Sequence, residues 1–441
     1  MSLGLRRKAL VGTLEVIVYA GVLFLLYRII VRALGIEAMG IWSLVMAAAS
    51  FLRFADTGVG AGVGRFVALS RAEGDDAHTL RIIDTALIFN AVLLTALTML
   101  LIFPARLLLP HIFDDAASLA TARDLLPLAL GAFVLTNLSG VSAASLVALH
   151  RLDLKSYIVI GSCFLQIGVA ALLIDDYGLV AVAAGQIAQQ AMILVACYVA
   201  ARRVMGVPMM RILPRPSRSA LRELLPFGLK LQGVSLLTSM FDPISRFVMS
   251  HFGGLAAVGT FELAQRALMQ LRLLIVNPSQ QLMPAFAHYK DSESRRNLYI
   301  KALAALTVGA VLILGGAALG APILARLWLG QVPPHFWAFT AILAFGWIVN
   351  VASVPAYHLS ISTGRLKSIA WGGLATTVLG PLLAIGLGRE FGATGVVLGT
   401  ALGLALGGAI TLAIATRVNG LPLLGTAREW RDGMRSVLAR P

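Results

Sequence analysis

The chain has 441 residues, of which 58% are hydrophobic and 13% are charged, and its mean hydropathy is +0.85. A water-soluble fold could not cover its surface with so little polar side chain, so the composition excludes a soluble protein and predicts a polytopic membrane protein. The formal net charge is +15, but Lys and Arg are spread over separate short loops without interleaved aromatic residues. No nucleic-acid partner is therefore expected.

About twelve apolar stretches, each long enough to cross a bilayer, follow one another along the chain. The predicted spans are residues 9–31, 39–70, 82–109, 122–149, 156–175, 179–201, 224–250, 255–288, 300–327, 336–362, 368–388 and 393–416. The first span follows a basic start, but it is longer than the apolar part of a secretory signal and lacks a small-residue cleavage site. We therefore expect it to be retained.

Lys and Arg accumulate in every second gap between these spans. Residues 202–222 alone contain the arginines Arg202, Arg203, Arg211, Arg215, Arg218 and Arg222, whereas two gaps on the opposite side contain the acidic pairs Asp114/Asp115 and Asp175/Asp176. Loops rich in Lys and Arg stay in the cytoplasm. The alternation predicts a multi-pass protein with both termini cytoplasmic.

The two halves of the chain repeat one another. Gly35 to Gly40 leads into the second span as Gly254 to Gly259 leads into the eighth, and Leu154-Lys155-Ser156 opens the fifth as Leu366-Lys367-Ser368 opens the eleventh. Six spans form an even number, so both copies start on the same face and the repeat is parallel. The sequence predicts an all-α protein of two six-helix bundles related by a pseudo-two-fold axis along the membrane normal. The predicted divisions are an N-terminal bundle (1–203), a basic cytoplasmic linker (204–222), a C-terminal bundle (223–416) and a basic cytoplasmic tail (417–441).

Charged residues inside spans cost about 2.5–3.5 kcal/mol each at the helix centre, so they are expected to face a cavity or to pair with one another. Most of them fall in the first two spans of each half, which we predict to line a central cavity. The candidates for binding an anionic substrate are Arg28, Arg53, Lys230, Arg246, Arg266 and Arg272. The candidates for ion coupling or charge pairing are Glu15, Asp56, Asp242 and Glu262.

Two interpretations of these charges stay open on the sequence alone. An arginine-rich cavity would suit a phosphate or pyrophosphate head group, because the planar guanidinium matches phosphate oxygens and keeps its charge when desolvated. Alternatively, acid and base pairs three or four residues apart, such as Asp242 with Arg246 and Glu262 with Arg266, only neutralise each other within a helix. Pro243 is expected to bend the seventh span beside these charges.

No motif of a cofactor or metal enzyme is present. The glycine-rich stretch from Gly58 to Gly64 lacks the strand and the glycine spacing of a dinucleotide site, and it favours close helix packing or local unwinding instead. The chain contains neither a P-loop nor an HExxH motif, and Cys163 and Cys197 fall in predicted spans. We expect no catalytic residues, no metal and no cofactor, and hence a transporter rather than an enzyme.

Two stretches carry a family resemblance. Residues 34–69, with a short LGxxxxG-type loop followed by a long second span, and residues 225–275, which repeat this arrangement, resemble the O-antigen and teichoic-acid type oligosaccharide flippases of the MATE-like (MOP) superfamily. The resemblance implies two six-helix bundles in a V, with alternating access. It also implies cavity arginines on the head group, for which Arg53, Arg246, Arg266 and Arg272 are the available positions.

The function that this resemblance implies is translocation of a lipid-diphosphate-linked oligosaccharide from the cytoplasmic to the outer leaflet of the bacterial inner membrane. The product would feed surface or exopolysaccharide biosynthesis. The implied partners are the lipid-linked oligosaccharide, membrane lipids, a polysaccharide polymerase or export machinery, and a coupling proton or sodium ion.

Three other functions are open. A MATE-type multidrug or cation antiporter has the same fold, but its cavity would be rich in acids and aromatics, whereas only 7% of this chain is aromatic. A membrane-embedded glycan polymerase or ligase would need a large outer loop, and every predicted outer loop is short. A scaffolding protein would not need buried charges in both halves. These arguments favour the flippase, with the antiporter as the main alternative.

Overall fold

The computed structural model describes residues 3–52, 58–208, 213–289, 291–423 and 430. Over these residues the chain is helical with short turns, and none of them lies in a β-strand. The chain divides into two compact units, Met1–Leu236 and Leu237–Pro441.

The first unit contains long helices joined by tight turns. They are α1 (Leu3–Ser50), α2 (Val59–Ala72), α3 (Asp76–Leu108) with a 3-10 turn (Leu109–His111), α4 (Ala116–Ala148), α5 (Leu152–Tyr177), α6 (Leu179–Val204) and most of α7 (Arg218–Ser239). The early residues of α7 were predicted to open the second bundle, and in the structure they pack against α2 and α3 of the first unit.

The described helices of the second unit are interrupted by two short stretches of π-helix. They are α8 (Phe241–Ser279), α9 (Leu282–His288), α10 (Ser292–Ala310), a π-turn (Val311–Gly315), α11 (Gly316–Leu319), α12 (Ala321–Leu329), α13 (Phe336–Ala352), α14 (Val354–Ser362), α15 (Lys367–Leu374), a second π-turn (Ala375–Leu379) and α16 (Gly380–Asn419).

Nine described helical stretches are long and apolar enough to cross a membrane. Three of them are each broken by one glycine with positive φ, namely Gly35 (85°), Gly254 (70°) and Gly392 (58°). A side chain at such a position would clash with the backbone, so glycine turns the chain there without strain. Each break falls where the sequence predicts a short turn between two spans.

Two spans that the sequence predicts as continuous each contain parts of two helices. In the second span α1 ends at Ser50 and α2 begins at Val59, after Gly58 in the left-handed region with φ 67°, while residues 53–57 lie outside the described residues. The seventh stops at Ser239 and resumes at Phe241. Pro243 lies in the first turn of α8, where its missing N–H costs no helical hydrogen bond, so it begins a helix rather than bending one.

Several helices begin before the apolar stretch that predicted them. The third span was predicted from residue 82 and the fourth from 122, but α3 and α4 begin at Asp76 and Ala116. The reason is an aspartate cap at each N-terminus: Asp75 accepts from the N–H of His78, and Asp115 from that of Ser118.

The core of the second unit packs through small residues. A Cβ atom at Gly403 would lie 2.3 Å from Cα of Gly380, and one at Gly346 would lie 2.6 Å from the carbonyl oxygen of Ala401. Close backbone approach of this kind is how membrane helices associate. Large apolar side chains are exposed in both units, for example Leu172 of α5 and Leu319 of α11, which are 81% and 82% exposed. A water-soluble protein has the reverse arrangement, with large apolar residues inside, so this distribution confirms a membrane-embedded fold.

Candidate functional site

Three of the predicted charged residues meet in the second unit around one carboxylate. Glu262 Oε2 lies 2.8 Å from Nε of Arg246, and Oε1 lies 2.7 Å from Nε of Arg266. The Glu262 side chain is 3% exposed and that of Arg246 is 8% exposed, whereas Arg266 is 35% exposed. We call Arg246, Glu262 and Arg266 the arginine triad.

The Gly254 break brings the arginine triad together. Arg246 lies before the break in α8, and Glu262 and Arg266 lie after it, one helical turn apart. The i,i+4 spacing places Glu262 and Arg266 on one helix face, as the sequence predicts. The prediction that Arg246 pairs with Asp242 is wrong, because Arg246 contacts Glu262 from the neighbouring helix.

The arginine triad has two guanidinium groups on a single carboxylate. Taken together, these three side chains carry two positive charges and one negative charge. An Arg guanidinium has five N–H donors, and one carboxylate cannot accept all ten. The arrangement can therefore hold a further anion, with Arg266 as the partly exposed member.

Arg272 lies on a separate polar group that joins α8 to α13. Its guanidinium carbon lies 4.9 Å from the ring centre of Trp347, and Nη2 donates to Oδ1 of Asn350 at 3.3 Å. The Trp347 indole N–H donates to Oε1 of Gln265 at 3.2 Å. A ring face and an amide oxygen, rather than a carboxylate, are therefore the partners of this cation among the described residues.

Glu15 is paired within the first unit. Its carboxylate accepts from Nζ of Lys155 at 2.5 Å and from the hydroxyl of Ser156 at 2.6 Å, and its side chain is 12% exposed. Lys155 lies in the first turn of α5, one residue before the predicted start of the fifth span, and its side chain is 23% exposed. The contact ties α1 to the start of α5.

The other candidates are not brought together. Among the described side chains, Asp242 and Arg28 have no ion-pair partner, and both are of intermediate exposure on α8 and α1. Arg53 and Asp56 lie outside the described residues, as does the side chain of Lys230. The roles predicted for these five residues stay predictions.

A buried ion pair in the first unit was missed from the sequence. Arg202 was counted with the loop arginines, yet its side chain is 7% exposed and its Nη2 lies 2.6 Å from Oδ2 of Asp84, which is 4% exposed. The Tyr198 hydroxyl donates to Asp84 at 2.9 Å and accepts from Nε of Arg202 at 2.8 Å. A sign of this group in the sequence is that Tyr198 and Arg202 are four residues apart, which places both on one face of a helix.

The same group holds part of the segment between the two halves of the chain. The backbone N–H of Arg215 donates to Asp84 Oδ2 at 2.8 Å, and that of Ser217 donates to the hydroxyl of Thr85 at 2.8 Å. The stretch predicted as a linker is thus fixed to α3 in its described C-terminal part.

Helix α7 packs closely on α2 and α3. A Cβ atom at Gly58 would lie 2.3 Å from the carbonyl oxygen of Gly228. The Arg65 guanidinium lies over the ring of Phe227 at 4.8 Å, and His78 Nε2 lies 3.1 Å from a carboxylate oxygen of Glu223. The glycine-rich stretch therefore serves helix packing here, one of the two uses predicted for it.

The described part of the chain has no cluster of three His, Cys, Asp or Glu side chains that could hold a metal ion. Cys163 and Cys197 are buried in α5 and α6, and the Cys163 sulfur accepts from the side-chain amide of Gln189 at 3.4 Å. These thiols belong to the helix core, as predicted.

Comparisons with known proteins support the fold and the family. The family model described as polysaccharide biosynthesis protein matches residues 5–290, and no curated protein matches significantly. Among solved structures, an inward-facing multidrug resistance transporter of the MATE family in the MOP superfamily is similar with a TM-score of 0.76 and 16% identity. The match covers 90% of this chain and 94% of that one.

Two further structures share the fold. The lipid II flippase MurJ in an inward closed conformation has a TM-score of 0.73 and 14% identity, over 98% of this chain and 90% of that one. A MOP superfamily transporter from Pyrococcus furiosus has a TM-score of 0.63 and 15% identity, and the match covers 95% of this chain and 96% of that one. At such identities the similarity establishes the fold alone. The family model matches well over half of the chain, and so the protein is a multi-pass membrane protein of the polysaccharide biosynthesis protein family, with a MATE-like all-helical fold.

Proposed function

We propose that this protein is a flippase that moves a lipid-diphosphate-linked oligosaccharide from the cytoplasmic to the outer leaflet of the bacterial inner membrane, for surface or exopolysaccharide biosynthesis. The observation that carries the proposal is the arginine triad, in which two guanidinium groups share one buried carboxylate. In a family of polysaccharide biosynthesis proteins, the anion that such a group would meet is the diphosphate that links glycan to lipid.

The role of each residue follows from its contacts. Arg266 is the partly exposed member of the arginine triad, so it would contact a phosphate oxygen, while Glu262 fixes the direction of its guanidinium. Arg246 is more deeply buried, so it would attract the phosphate through its positive charge without touching it. Arg272, which has no carboxylate partner among the described residues, would be a second contact for the head group or the first sugar. Transport would proceed by alternating access.

Coupling to a proton or sodium ion would need an acid that is not already neutralised. Glu262 and Glu15 are each bound to cations, which leaves Asp242 as the described candidate. A polysaccharide polymerase or export machinery would take up the translocated product.

The test is a translocation assay in proteoliposomes with a fluorescent lipid-diphosphate oligosaccharide whose outer-leaflet fraction is read by a membrane-impermeant quencher. Arg266→Ala is expected to slow translocation at least about tenfold, since a charge-assisted contact to phosphate is worth about 1.5–3 kcal/mol. Arg417→Ala, which removes an exposed arginine from the last turn of α16, is the matched control. Wild-type rates in Arg266→Ala would refute the assigned site.

A second function deserves a parallel assay because the fold matches a multidrug resistance transporter. The same proteoliposomes, loaded with a cationic dye under a proton or sodium gradient, would report antiport. Dye efflux without glycan translocation would show that the protein is a MATE-type antiporter and not a flippase. Glycan translocation without dye efflux would exclude that alternative, and hydrolysis or extension of the glycan would indicate an enzyme instead.

A further inference from the structure

A groove runs along the membrane-facing side of the first unit, between the start of α5 and the second half of α6. It has a volume of about 680 Å³. Its floor is one face of α6, because the residues that line it recur at the helical spacing of three or four. The main lining residues are Leu154, Met192, Val195 and Val199, with Arg151 and Arg203 at one end.

The apolar part of the groove has the length of one bilayer leaflet. Met192 and Arg203 are eleven residues apart on α6, a rise of about 16 Å at 1.5 Å per residue. A hydrocarbon core of about 30 Å gives each leaflet about 15 Å. The side chains of Met192 and Val195 are 36% and 60% exposed, so the groove offers apolar surface to something outside the unit.

The charged end is held in place by the turn between α4 and α5. His150 adopts a positive φ of 58°, and the N–H of Arg151 donates back to the carbonyl of Leu146 at 2.9 Å, which closes a tight helix end. The Arg151 guanidinium donates through Nε and Nη2 to the two carboxylate oxygens of Asp153, both at 3.2 Å. This contact orients the Arg151 guanidinium.

Arg203 completes this end of the groove. It lies in the last turn of α6 beside Arg202, but the two side chains point in different directions: Arg202 is buried against Asp84, while Arg203 is exposed and lines the groove. A guanidinium has five N–H donors, so Arg203 can bind a phosphate alongside any contact it makes within the chain. Arginine is also well suited to phosphate geometry.

We propose that this groove binds an anionic membrane phospholipid, with one acyl chain along Met192, Val195 and Val199 and the phosphate between Arg151 and Arg203. The arginines lie at the end predicted to be cytoplasmic, where basic pockets between membrane helices hold anionic head groups. The site is on a different unit from the arginine triad, and the proposal does not depend on which substrate is transported.

The test is native mass spectrometry of the purified, detergent-solubilised protein titrated with phosphatidylglycerol or phosphatidylcholine of identical acyl chains. We expect phosphatidylglycerol to bind more tightly, and Arg203→Gln to weaken its binding about fivefold, the factor expected for one arginine near an anionic head group. Binding of phosphatidylcholine, whose choline cation offsets the charge of its phosphate, should weaken less than that of phosphatidylglycerol. Arg417→Gln removes an exposed arginine from the equivalent last turn of α16 and should stay within about twofold of wild type.

A second variant tests the acyl-chain part. Val195→Trp fills the groove from an exposed position and should weaken both lipids to a similar extent. Equal affinity of the wild type for the two lipids would overturn the proposal, as would an Arg203→Gln variant no weaker than Arg417→Gln. Unchanged binding by Val195→Trp would show that the lipids bind elsewhere and would overturn it as well.

Discussion

Asp84 of α3 and Arg202 of α6 form an ion pair in which one arginine nitrogen, Nη2, donates to both carboxylate oxygens, at 2.8 Å and 2.6 Å. Both side chains are less than 10% exposed. The Tyr198 hydroxyl and the backbone N–H of Arg215 complete the hydrogen bonds of the carboxylate. The pair thus joins two helices and the segment that leads to α7.

Asp84→Asn should destabilise the protein by about 3–5 kcal/mol, because it removes the Asp84 carboxylate charge from beside the buried Arg202 guanidinium. The measurement is the free energy of unfolding in detergent, from denaturant titration. Asp84→Leu combined with Arg202→Met should recover most of the loss, since both buried charges are then removed. Asp76→Asn is the control: it breaks the exposed contact with Arg71 and should cost about 1 kcal/mol or less. Equal losses for Asp84→Asn and Asp76→Asn would contradict the buried network.

Within the arginine triad we expect the loss of stability to fall in the order Glu262→Gln, Arg246→Gln, Arg266→Gln. Glu262→Gln removes the carboxylate that both guanidinium groups contact and should cost about 3–5 kcal/mol. Arg266 is 35% exposed, so its removal should cost about 1 kcal/mol. Thermal unfolding of the three variants gives the order. If Arg266→Gln unfolds as readily as Glu262→Gln, the second guanidinium is structural, and the role proposed for it in substrate binding is wrong.

The sequence predicts local features of this region and fails on contacts between helices. The Glu262/Arg266 contact follows from i,i+4 spacing, and the break at Gly254 from its place in a repeated motif. Arg246 meets Glu262 only because two helices pack side by side after that break. Spacing along one helix instead indicated Asp242, which has no ion pair among the described residues.

The charge pattern likewise predicts which gaps are basic but not where each side chain points. Arg202 and Arg203 are adjacent at the end of α6, and both count equally as loop charge. Yet one is buried against Asp84, and the other is exposed. The direction depends on the rotation of α6 against α3, which is set by packing across 118 residues of chain.

Gly403→Ala should destabilise the second unit, because the added Cβ would lie 2.3 Å from Cα of Gly380 and backbone cannot move away as a side chain could. Overpacking of this kind costs about 1–3 kcal/mol. Gly386→Ala in the same helix is the matched control: a Cβ there meets nothing within 4 Å. It should be neutral or stabilising by up to about 1 kcal/mol, since alanine favours helix over glycine. Thermal unfolding of the two variants in one detergent decides the matter, and a Gly403→Ala variant as stable as Gly386→Ala would rule out close packing of the helix segments at Gly380 and Gly403.

The N-terminus of α4 should open as the pH falls. Asp115 accepts from the backbone N–H of Ser118 at 2.7 Å, and this hydrogen bond lowers the pKa of the Asp115 carboxyl below its usual value. A lowered pKa means that the cap stabilises the helix fully above the ordinary carboxylate pKa of about 3.9, and that this stabilisation is lost as the pH falls through the folded-state value. Hydrogen exchange of the Ser118 amide, corrected for the intrinsic pH dependence of exchange, should show protection that declines only in this acidic window. Asp115→Asn keeps an acceptor oxygen but does not titrate, so its protection should not vary with pH there. Parallel pH profiles for Asp115→Asn and the wild type would show that the carboxylate does not control this helix end.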